Sequence, residues 1–424
     1  MTDECGVGAT GEEKRRRVLI TGVGAVTPIG HGSDGLWQGV RRGRSAVRRI
    51  TRFDAAPFPS RIAAEIDGFE PRDFMDARRA KRLDRFAQLA LAASLLALSD
   101  AGLTRAAVPA DAGIYLGTAL GGVAFAEEQH TRFLPGGLRA VNPMLALAVY
   151  GGAAAANIAI ELGLTGPNVT NANSCAAGAI AIGEAFHAIR AGRAALVLAG
   201  GAEAPLAPLT FGAFALIRAL STANDDPQRA SRPFDRRRDG FVMAEGAAVL
   251  VLEEYEHAVR RGAQAYAEVL GYGTTTDAYH MTAPLRNGEQ AARAIALALQ
   301  DASVRPNHLD YINAHGSGTP LNDRTETLAF KRALGEAAAA VPISGTKGLH
   351  GHALGASGAI EAAICALIFW HNWLPPTANL EEPDPDCDLN YLRGAGLSRR
   401  VQAVLTTSFG FGGINAALVL GRPH

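Results

Sequence analysis

Short apolar runs alternate with longer amphipathic segments along most of this chain. The apolar runs predict buried strands over residues 18–20, 112–118, 195–198, 247–252, 266–270 and 311–312. Apolar residues at helical spacing predict helices over residues 85–100, 289–302 and 323–334. Regular alternation of strands and helices is typical of a layered α/β architecture.

The second half of the chain repeats features of the first. Residues 98–103 (LSDAGL) precede the strand at 113–117, and residues 299–304 (LQDASV) precede the strand at 310–314. Each half also ends in a strand of two alanines followed by aliphatic residues, at 247–250 and 416–419. We therefore predict an ancestral duplication, with a flexible N-terminal extension (1–15), a first half (16–260) and a second half (261–424).

Composition excludes several classes of protein. The 424 residues are 48% hydrophobic and 19% charged, and 41 basic residues balance 41 acidic ones. No net field therefore attracts nucleic acid or a membrane surface. The longest uncharged stretch, 142–160, is rich in alanine and interrupted by two glycines, so we predict a buried helix there and no membrane span.

The cysteines favour a cytoplasmic protein. Cys5, Cys175, Cys365 and Cys387 form no CxxC pair, and the N-terminal residues do not follow the pattern of a secretory leader. This usage indicates a reducing compartment without structural zinc. We interpret Cys5 as a tail residue, Cys365 as a helix-core residue and Cys387 as a loop residue.

Cys175 is the candidate nucleophile. It joins a strand-like run to an alanine- and glycine-rich helix that extends to Arg190. A helix N-terminus is expected to lower the pKa of such a thiol from about 8.5 toward neutrality. The alternative is a small buried apolar residue, because free cysteine is often buried. Two histidine-bearing loops further along the chain favour the nucleophile.

These loops are Asn313-Ala314-His315-Gly316-Ser317-Gly318-Thr319 and residues 345–352 (GTKGLHGH). Two neutral imidazole N–H groups, from His315 and His352, could stabilise the enolate that forms when a β-carboxyl leaves as CO2. One donor of this kind is worth about 3 kcal/mol. Lys347 would keep the imidazoles neutral, and Glu361 would hold the lysine. The alternatives for residues 350–352 are a surface loop or a metal pair, but no third ligand stands at a recognisable spacing, so no metal is predicted.

Two glycine-rich segments need separate interpretation. In Ser408-Phe409-Gly410-Phe411-Gly412-Gly413, backbone N–H groups could complete an oxyanion hole with that of Cys175, or the segment is an ordinary turn with two core aromatics. Residues 22–24 (GVG) follow a strand, as in a dinucleotide site. Thr27-Pro28 replaces the third glycine, so no such site is predicted.

With these motifs, the chain resembles the elongating β-ketoacyl-[acyl-carrier-protein] synthases. The resemblance runs over about residues 17–420. It rests on residues 174–178 (SCAAG), 313–316 (NAHG), 347 with 352, 408–413 (SFGFGG), 232–235 (RPFD) and 238–241 (RDGF). It implies a thiolase-like fold, with duplicated halves in five layers (αβαβα), and a homodimer whose interface lies near the nucleophile.

The resemblance also implies roles for individual residues. Cys175 accepts the acyl group, His315 and His352 assist malonyl decarboxylation and carbanion attack, and Lys347 with Glu361 supports them. The backbone N–H groups of Cys175 and Phe411 form the oxyanion hole, and Phe411 gates the acyl pocket. The other implied positions are pantetheine-binding Thr282, Ser317 and Thr319; acyl-pocket Leu120 and Phe409; and a carrier-docking cluster of Arg78, Arg79, Lys81, Arg82 and Arg218. For any one of these basic residues, a solvated helix face is an equal alternative.

The expected activity is a decarboxylative Claisen condensation without a dissociable cofactor, on substrates carried by the phosphopantetheine of acyl carrier protein. Asn173-Ser174 and Ser317-Gly318 depart from common family patterns and leave fatty acid and polyketide or polyene pathways open. One alternative is a polyketide ketosynthase paired with a non-catalytic chain-length partner; Cys175 argues against the chain being that partner. Another is a thiolase-like acyltransferase using coenzyme A thioesters, in which a second catalytic cysteine would replace His352.

Overall fold

The computed structural model describes residues 15–424, so most of the predicted extension, with Cys5, lies outside the described residues. Ten strands carry the architecture: β1 (Val18–Thr27), β2 (Gly113–Gly117), β3 (Asn168–Asn171), β4 (Leu196–Glu203), β5 (Gly246–Glu254), β6 (Ala267–Thr276), β7 (Tyr311–Asn313), β8 (Ile343–Ser344), β9 (Ala403–Gly410) and β10 (Ile414–Gly421). Two-residue strands lie at Gly30–His31, Arg48–Arg49, Ile62–Ala63, Trp373–Leu374 and Leu397–Ser398.

The longer helices are α1 (Gly32–Arg42), α2 (Arg85–Asp100), α3 (Val123–Gly136), α4 (Ala153–Leu162), α5 (Ala177–Arg190), α6 (Pro208–Leu216), α7 (Glu289–Ala302), α8 (Pro320–Leu334) and α9 (Ser357–His371). Shorter helices lie at Ala77–Ala80, Leu145–Val149, Tyr255–Arg260 and Lys347–His350. The predicted helices at 85–100 and 289–302 have these bounds, and the one at 323–334 begins three residues earlier, at Pro320.

The two halves share one strand topology. In the first, β1 pairs antiparallel with β5, β5 antiparallel with β4, and β4 and β2 continue in parallel to β3. In the second, β6, β10, β9, β7 and β8 follow in the same order and the same directions. A short antiparallel pairing of β1 with β6 joins the sheets. The duplication predicted from the sequence is therefore present in the fold.

The helices complete the five layers. α5 and α9 pack against each other and against strands of both sheets, which makes them the central layer. α2 covers the outer face of the first sheet, and α7 with α8 covers the outer face of the second. The architecture is the thiolase-like fold that the resemblance implied.

Close backbone approach explains the glycines of the failed dinucleotide motif. A Cβ on Gly24 would lie 1.9 Å from the Ala93 carbonyl oxygen, and one on Gly22 would lie 2.3 Å from that of Ala97, both in α2. In the second half, Gly271 and Gly273 of β6 meet α7 in the same way, with Cβ positions 2.4 and 2.2 Å from carbonyl oxygens. These glycines let an outer helix rest directly on the first strand of each half.

The prediction of one buried helix over residues 142–160 is wrong. The segment forms the short helix Leu145–Val149 and then α4, with a break at the two glycines. Leu147 and Ile160 are 59% and 73% exposed in the single chain. Within residues 15–424, the one helical segment both long and apolar enough to cross a membrane is Leu354–His371, and 89% of it is buried inside the fold, as expected of a core helix.

Candidate active site

Loops from both halves meet around one cavity of about 340 Å³. Cys175 follows β3, His315 follows β7 and His352 follows β8, so all three leave the carboxyl ends of parallel strands. Functional loops of α/β sheets gather at those ends. The three side chains, separated by up to 177 positions in sequence, line this same cavity.

Cys175 lies on the single 3₁₀ turn between β3 and α5. The preceding residue, Ser174, has a φ of 52°, a backbone conformation that non-glycine residues seldom adopt and that marks a sharp, constrained turn. Burial raises the pKa of the Cys175 thiol to about 11, against the hydrogen bond from Ser174, the Lys347 charge and the Phe411 backbone N–H. The expected fall toward neutrality is therefore wrong, because desolvation outweighs the groups that favour thiolate.

Lys347 determines the hydrogen-bonding state of His315. The lysine is fully buried, and its Nζ donates to the Glu361 carboxylate, to the His315 carbonyl oxygen and to His315 Nδ1 at 3.3 Å. An ammonium group has three donors and no acceptor. Nδ1 therefore accepts, and the imidazole proton of His315 resides on Nε2.

His352 is held by a different neighbour. Its Nδ1 lies 2.8 Å from the Ser357 hydroxyl at the start of α9, and its ring lies 5.2 Å from that of His315, centroid to centroid. A hydroxyl that donates to Nδ1 leaves the ring proton on Nε2 here as well. Burial, reinforced by the Lys347 charge, lowers the pKa of both histidines well below the usual value, so both rings are neutral at neutral pH.

The other histidine of the 350–352 pair has no place in the cavity. His350 is fully buried, and its Nε2 lies 3.1 Å from the Thr346 hydroxyl within the same turn. It is not part of a surface loop. Residues 15–424 show no group of three His, Cys, Asp or Glu side chains placed to hold a metal ion. The two histidines are only two positions apart, yet His350 supports the turn and His352 faces the cavity.

Sequence reasoning missed Glu326, which positions the His315 loop. Its carboxylate accepts from the backbone N–H groups of His315 (2.7 Å) and Gly316 (2.8 Å) and from the Thr407 hydroxyl (2.8 Å). Burial raises the pKa of Glu326 to about 7. A helical spacing of buried polar residues in α8, at 323, 326 and 327, was the sequence signal for this face.

The glycine loop between β9 and β10 brings Phe411 to the nucleophile. The Phe411 backbone N–H opposes the rise in the pKa of the thiol, and Phe409 and Phe411 both line the cavity. The Phe411 ring stacks on Phe214 of α6 at 6.2 Å. The alternative of an ordinary turn with two core aromatics holds for Phe409, which is buried in the core of the second half. It does not hold for Phe411, which is only partly buried and lines the cavity.

Thr282, Ser317 and Thr319 also line the cavity, and the hydroxyls of the last two lie 3.0 Å apart. Leu120 does not line it. Its half-buried side chain instead packs in an apolar cluster that includes Cys175 and Phe411.

The basic cluster is divided. Arg218 is exposed and lines the cavity, whereas Arg78, Lys81 and Arg82 are exposed on the short helix Ala77–Ala80 and the turn after it. Arg79 differs from these, because its guanidinium pairs with Glu161 and donates to the Asn157 carbonyl oxygen at 2.6 Å. Its charge is therefore already paired within the chain and is not available to a partner protein.

Comparison with known proteins agrees with this geometry. Residues 15–258 match the family model of the β-ketoacyl synthase N-terminal domain, and residues 266–381 match that of the C-terminal domain. The chain belongs to the β-ketoacyl synthase family.

Relatives in this family cover nearly the whole chain. A 3-oxoacyl-[acyl-carrier-protein] synthase 2 from Synechocystis sp. is 46% identical over 96% of the chain and 99% of its own length. The tetracenomycin polyketide synthase ketoacyl synthase alpha subunit from Streptomyces glaucescens is also 46% identical, over 96% of the chain and 97% of its own length. Identity alone therefore does not separate the two kinds of relative.

Solved structures of ketosynthases also match nearly the whole chain. A type II polyketide ketosynthase in complex with its acyl carrier protein and bound to the hexaketide superposes with a TM-score of 0.90, at 36% identity, covering 97% of this chain and 100% of that one. The ishigamide ketosynthase/chain length factor superposes with a TM-score of 0.91, at 38% identity, with the same coverage.

Proposed function

We propose that this chain is a β-ketoacyl-[acyl-carrier-protein] synthase that extends an acyl chain by decarboxylative Claisen condensation. The observation that carries the proposal is the shared cavity of one thiol and two neutral imidazoles. Family membership supports the reaction class. The roles of individual residues follow from their geometry.

The first half-reaction transfers the acyl group to Cys175. Because burial keeps the thiol protonated, the attack on the thioester carbonyl releases one proton, which passes to the departing carrier sulfur. The imidazoles do not accept it, because their Nε2 atoms carry protons and their Nδ1 atoms already have hydrogen-bond partners. The oxyanion faces the backbone N–H groups of Cys175 and Phe411. The carrier thiol leaves with a proton, and the acyl-enzyme thioester remains.

The second half-reaction uses the histidines as donors. Malonyl thioester loses CO2, and the electron pair of the broken C–C bond becomes an enolate whose oxygen accepts from the Nε2–H groups of His315 and His352. The carbanion attacks the acyl carbonyl carbon, Cys175 leaves as thiolate and regains a proton, and the product is a β-ketoacyl thioester two carbons longer. The departing carboxyl supplies the electrons, so no dissociable cofactor is needed.

Partner and location are parts of the same proposal. Substrates arrive on acyl carrier protein. Its acidic surface would be attracted by Arg218 at the cavity and by the basic turn, which carries the exposed Arg78, Lys81 and Arg82. A second subunit covers apolar side chains that are exposed in the single chain: Leu134, Leu138, Leu147, Ile160 and Val169, the last on the strand that leads to Cys175. A cytoplasmic location is supported by the cysteines at 175, 365 and 387, all free.

The test is acyl loading followed by CO2 release. Incubation with acyl-carrier protein should add one acyl mass to the peptide carrying Cys175, and malonyl-carrier protein should then yield CO2 and the extended product. The Cys175→Ala variant should lose condensation, and Cys365→Ala, which removes a buried thiol of α9, should retain it. Undiminished elongation by Cys175→Ala would contradict the assignment.

A polyketide ketosynthase that works with a chain-length partner is the second candidate, favoured by the equal identity to both kinds of relative. The size and composition of the purified complex distinguish the two. A homodimer that condenses alone supports the first candidate, and a chain that condenses only with a second, different subunit supports the other.

A further inference from the structure

Glu203, the last residue of β4, is a fully buried carboxylate next to the site that the reaction above does not use. Within residues 15–424 it forms no ion pair with lysine or arginine, unlike the buried Glu245 and Glu253. Burial raises the pKa of Glu203 to about 7, opposed only by hydrogen bonds. A carboxylate placed so unfavourably usually has a specific task.

Its oxygens connect loops from the two halves of the chain. Oε1 accepts from the Thr118 hydroxyl and the Leu120 N–H, both at 3.1 Å. Oε2 accepts from the Ala119 N–H at 2.5 Å and from the Gly355 N–H at 3.0 Å. All four donors belong to two loops that pack against each other beside the nucleophile.

Each of these loops supports part of the site. The first loop carries Leu120, which packs in the cluster with Cys175. The second lies between His352 and Ser357, the pair whose hydrogen bond orients the catalytic ring. The loops leave no spare room, because a Cβ on Gly355 would lie 2.4 Å from the Ala119 nitrogen.

We propose that Glu203 is a positioning residue that fixes Leu120 against the histidine loop and thereby sets the acyl chain length that the enzyme accepts. The inference rests on the proposed function and adds a determinant of its specificity. Leu120 lies outside the cavity but packs in the same apolar cluster as Cys175, so moving its backbone changes the apolar surroundings of the acyl-bearing sulfur. The Lys347–His315 contact lies on a different set of hydrogen bonds and is left unchanged.

Glu203→Gln is the direct test because it keeps the shape and removes one acceptor. In one orientation of the new amide, its oxygen still accepts from the Ala119 and Gly355 N–H groups, and its NH2 group faces the Leu120 N–H, donor against donor. In the other orientation, the NH2 group faces the Ala119 and Gly355 N–H groups instead. We expect the ratio of neighbouring product lengths to change about tenfold, as for one lost hydrogen bond to a charged group.

Two further variants keep the result interpretable. Thr118→Val removes the hydroxyl that donates to Oε1 and that also accepts from the Gly121 N–H of the same loop. It should shift product length in the same direction, which decides the matter if Glu203→Gln does not fold. Glu326→Gln alters another buried carboxylate, which accepts from the His315 and Gly316 backbone N–H groups, and it should lower kcat without changing product length. A change in product length that Glu326→Gln does not reproduce is therefore specific to Glu203 and does not follow from removing any buried charge.

The outcomes distinguish the two proposals. A wild-type protein that performs no condensation overturns the proposed function. Wild-type condensation with unaltered product lengths in both Glu203→Gln and Thr118→Val overturns only the role of Glu203. If Glu203→Gln still produces its full shift in a Leu120→Ala background, the route through Leu120 is wrong.

Discussion

Lys347 Nζ lies 3.3 Å from His315 Nδ1, and both residues are buried, with at most 2% of either exposed to solvent. The contact fixes the imidazole tautomer, because the ammonium can only donate. The same charge helps hold the pKa of both histidines low. A single buried cation therefore prepares two hydrogen-bond donors, and Glu361 pairs with it.

Lys347→Met should reduce malonyl decarboxylation by about 10²-fold while acyl loading of Cys175 continues, because the His315 donor is no longer oriented. The single variant also leaves the Glu361 charge buried and unpaired, at a cost of about 3–5 kcal/mol. CO2 release and thermal unfolding measure the two effects. Lys347→Met/Glu361→Gln should recover much of the stability and none of the activity; restored activity would contradict the tautomer role.

His352→Ala and His350→Ala form a matched pair of equally buried imidazoles. His352→Ala should lower the rate of CO2 release by about 10²–10³-fold, since it removes one donor to the enolate. His350→Ala should retain the rate per folded molecule and lower the free energy of unfolding, since it supports the Lys347–His350 turn. Equal losses of rate in the two variants would count against the assignment.

Alkylation of Cys175 should rise steeply with pH. Iodoacetamide reacts with thiolate, and burial raises the pKa of this thiol to about 11, so the rate should increase about tenfold per pH unit between about pH 7 and 9 without levelling. An ordinary thiol, with a pKa of about 8.5, would begin to level within that range. Mass spectrometry of the Cys175 peptide isolates this residue from the others. A plateau near pH 7 would show that the helix terminus dominates after all.

Gly24→Ala should destabilise the fold by about 3 kcal/mol, because the added methyl group would overlap the Ala93 carbonyl oxygen in α2. Gly35→Ala is the control. It lies inside α1, where a Cβ meets its nearest neighbour at 3.4 Å, and it should stabilise by about 0.5 kcal/mol through helix propensity. Chemical denaturation gives both values, and a neutral Gly24→Ala would refute the packing argument.

Arg218→Ala should raise the KM for acyl-carrier protein roughly fivefold at low salt, with the difference shrinking as salt is added. Arg79→Ala should leave that KM nearly unchanged, because its guanidinium already pairs with Glu161, and should lower thermal stability instead. Steady-state kinetics at two ionic strengths decides. A larger KM effect for Arg79 would place the docking surface at the basic turn.

The boundaries of the helices were largely accessible from periodicity. Those of the strands were less so, since β1, β4 and β6 run five to seven residues beyond their predicted ends, and the reasons for single glycines were not accessible. The helix at 85–100 has the predicted ends because an amphipathic run is a local property. The two-glycine spacing of residues 22–24, which falls short of a dinucleotide motif, recurs at 271–273. The sequence did not show its reason, because the helix that meets each strand lies about 70 positions away in the first half and 21 to 27 positions away in the second. The prediction for residues 142–160 was wrong because apolar composition alone does not show which side chains of a helix other parts of the chain will cover.

The sequence by itself determined the reaction class: a cysteine at a strand-to-helix turn, two histidine loops, a lysine and a glycine loop, in an order shared with one family. Tertiary structure decided the electrostatics. The thiol pKa, the proton position on His315, the pairing of Arg79 and the buried bridge at Glu203 depend on burial and on neighbours distant in sequence. Desolvation and hydrogen bonding are properties of the packed neighbourhood, which no local pattern of residues specifies.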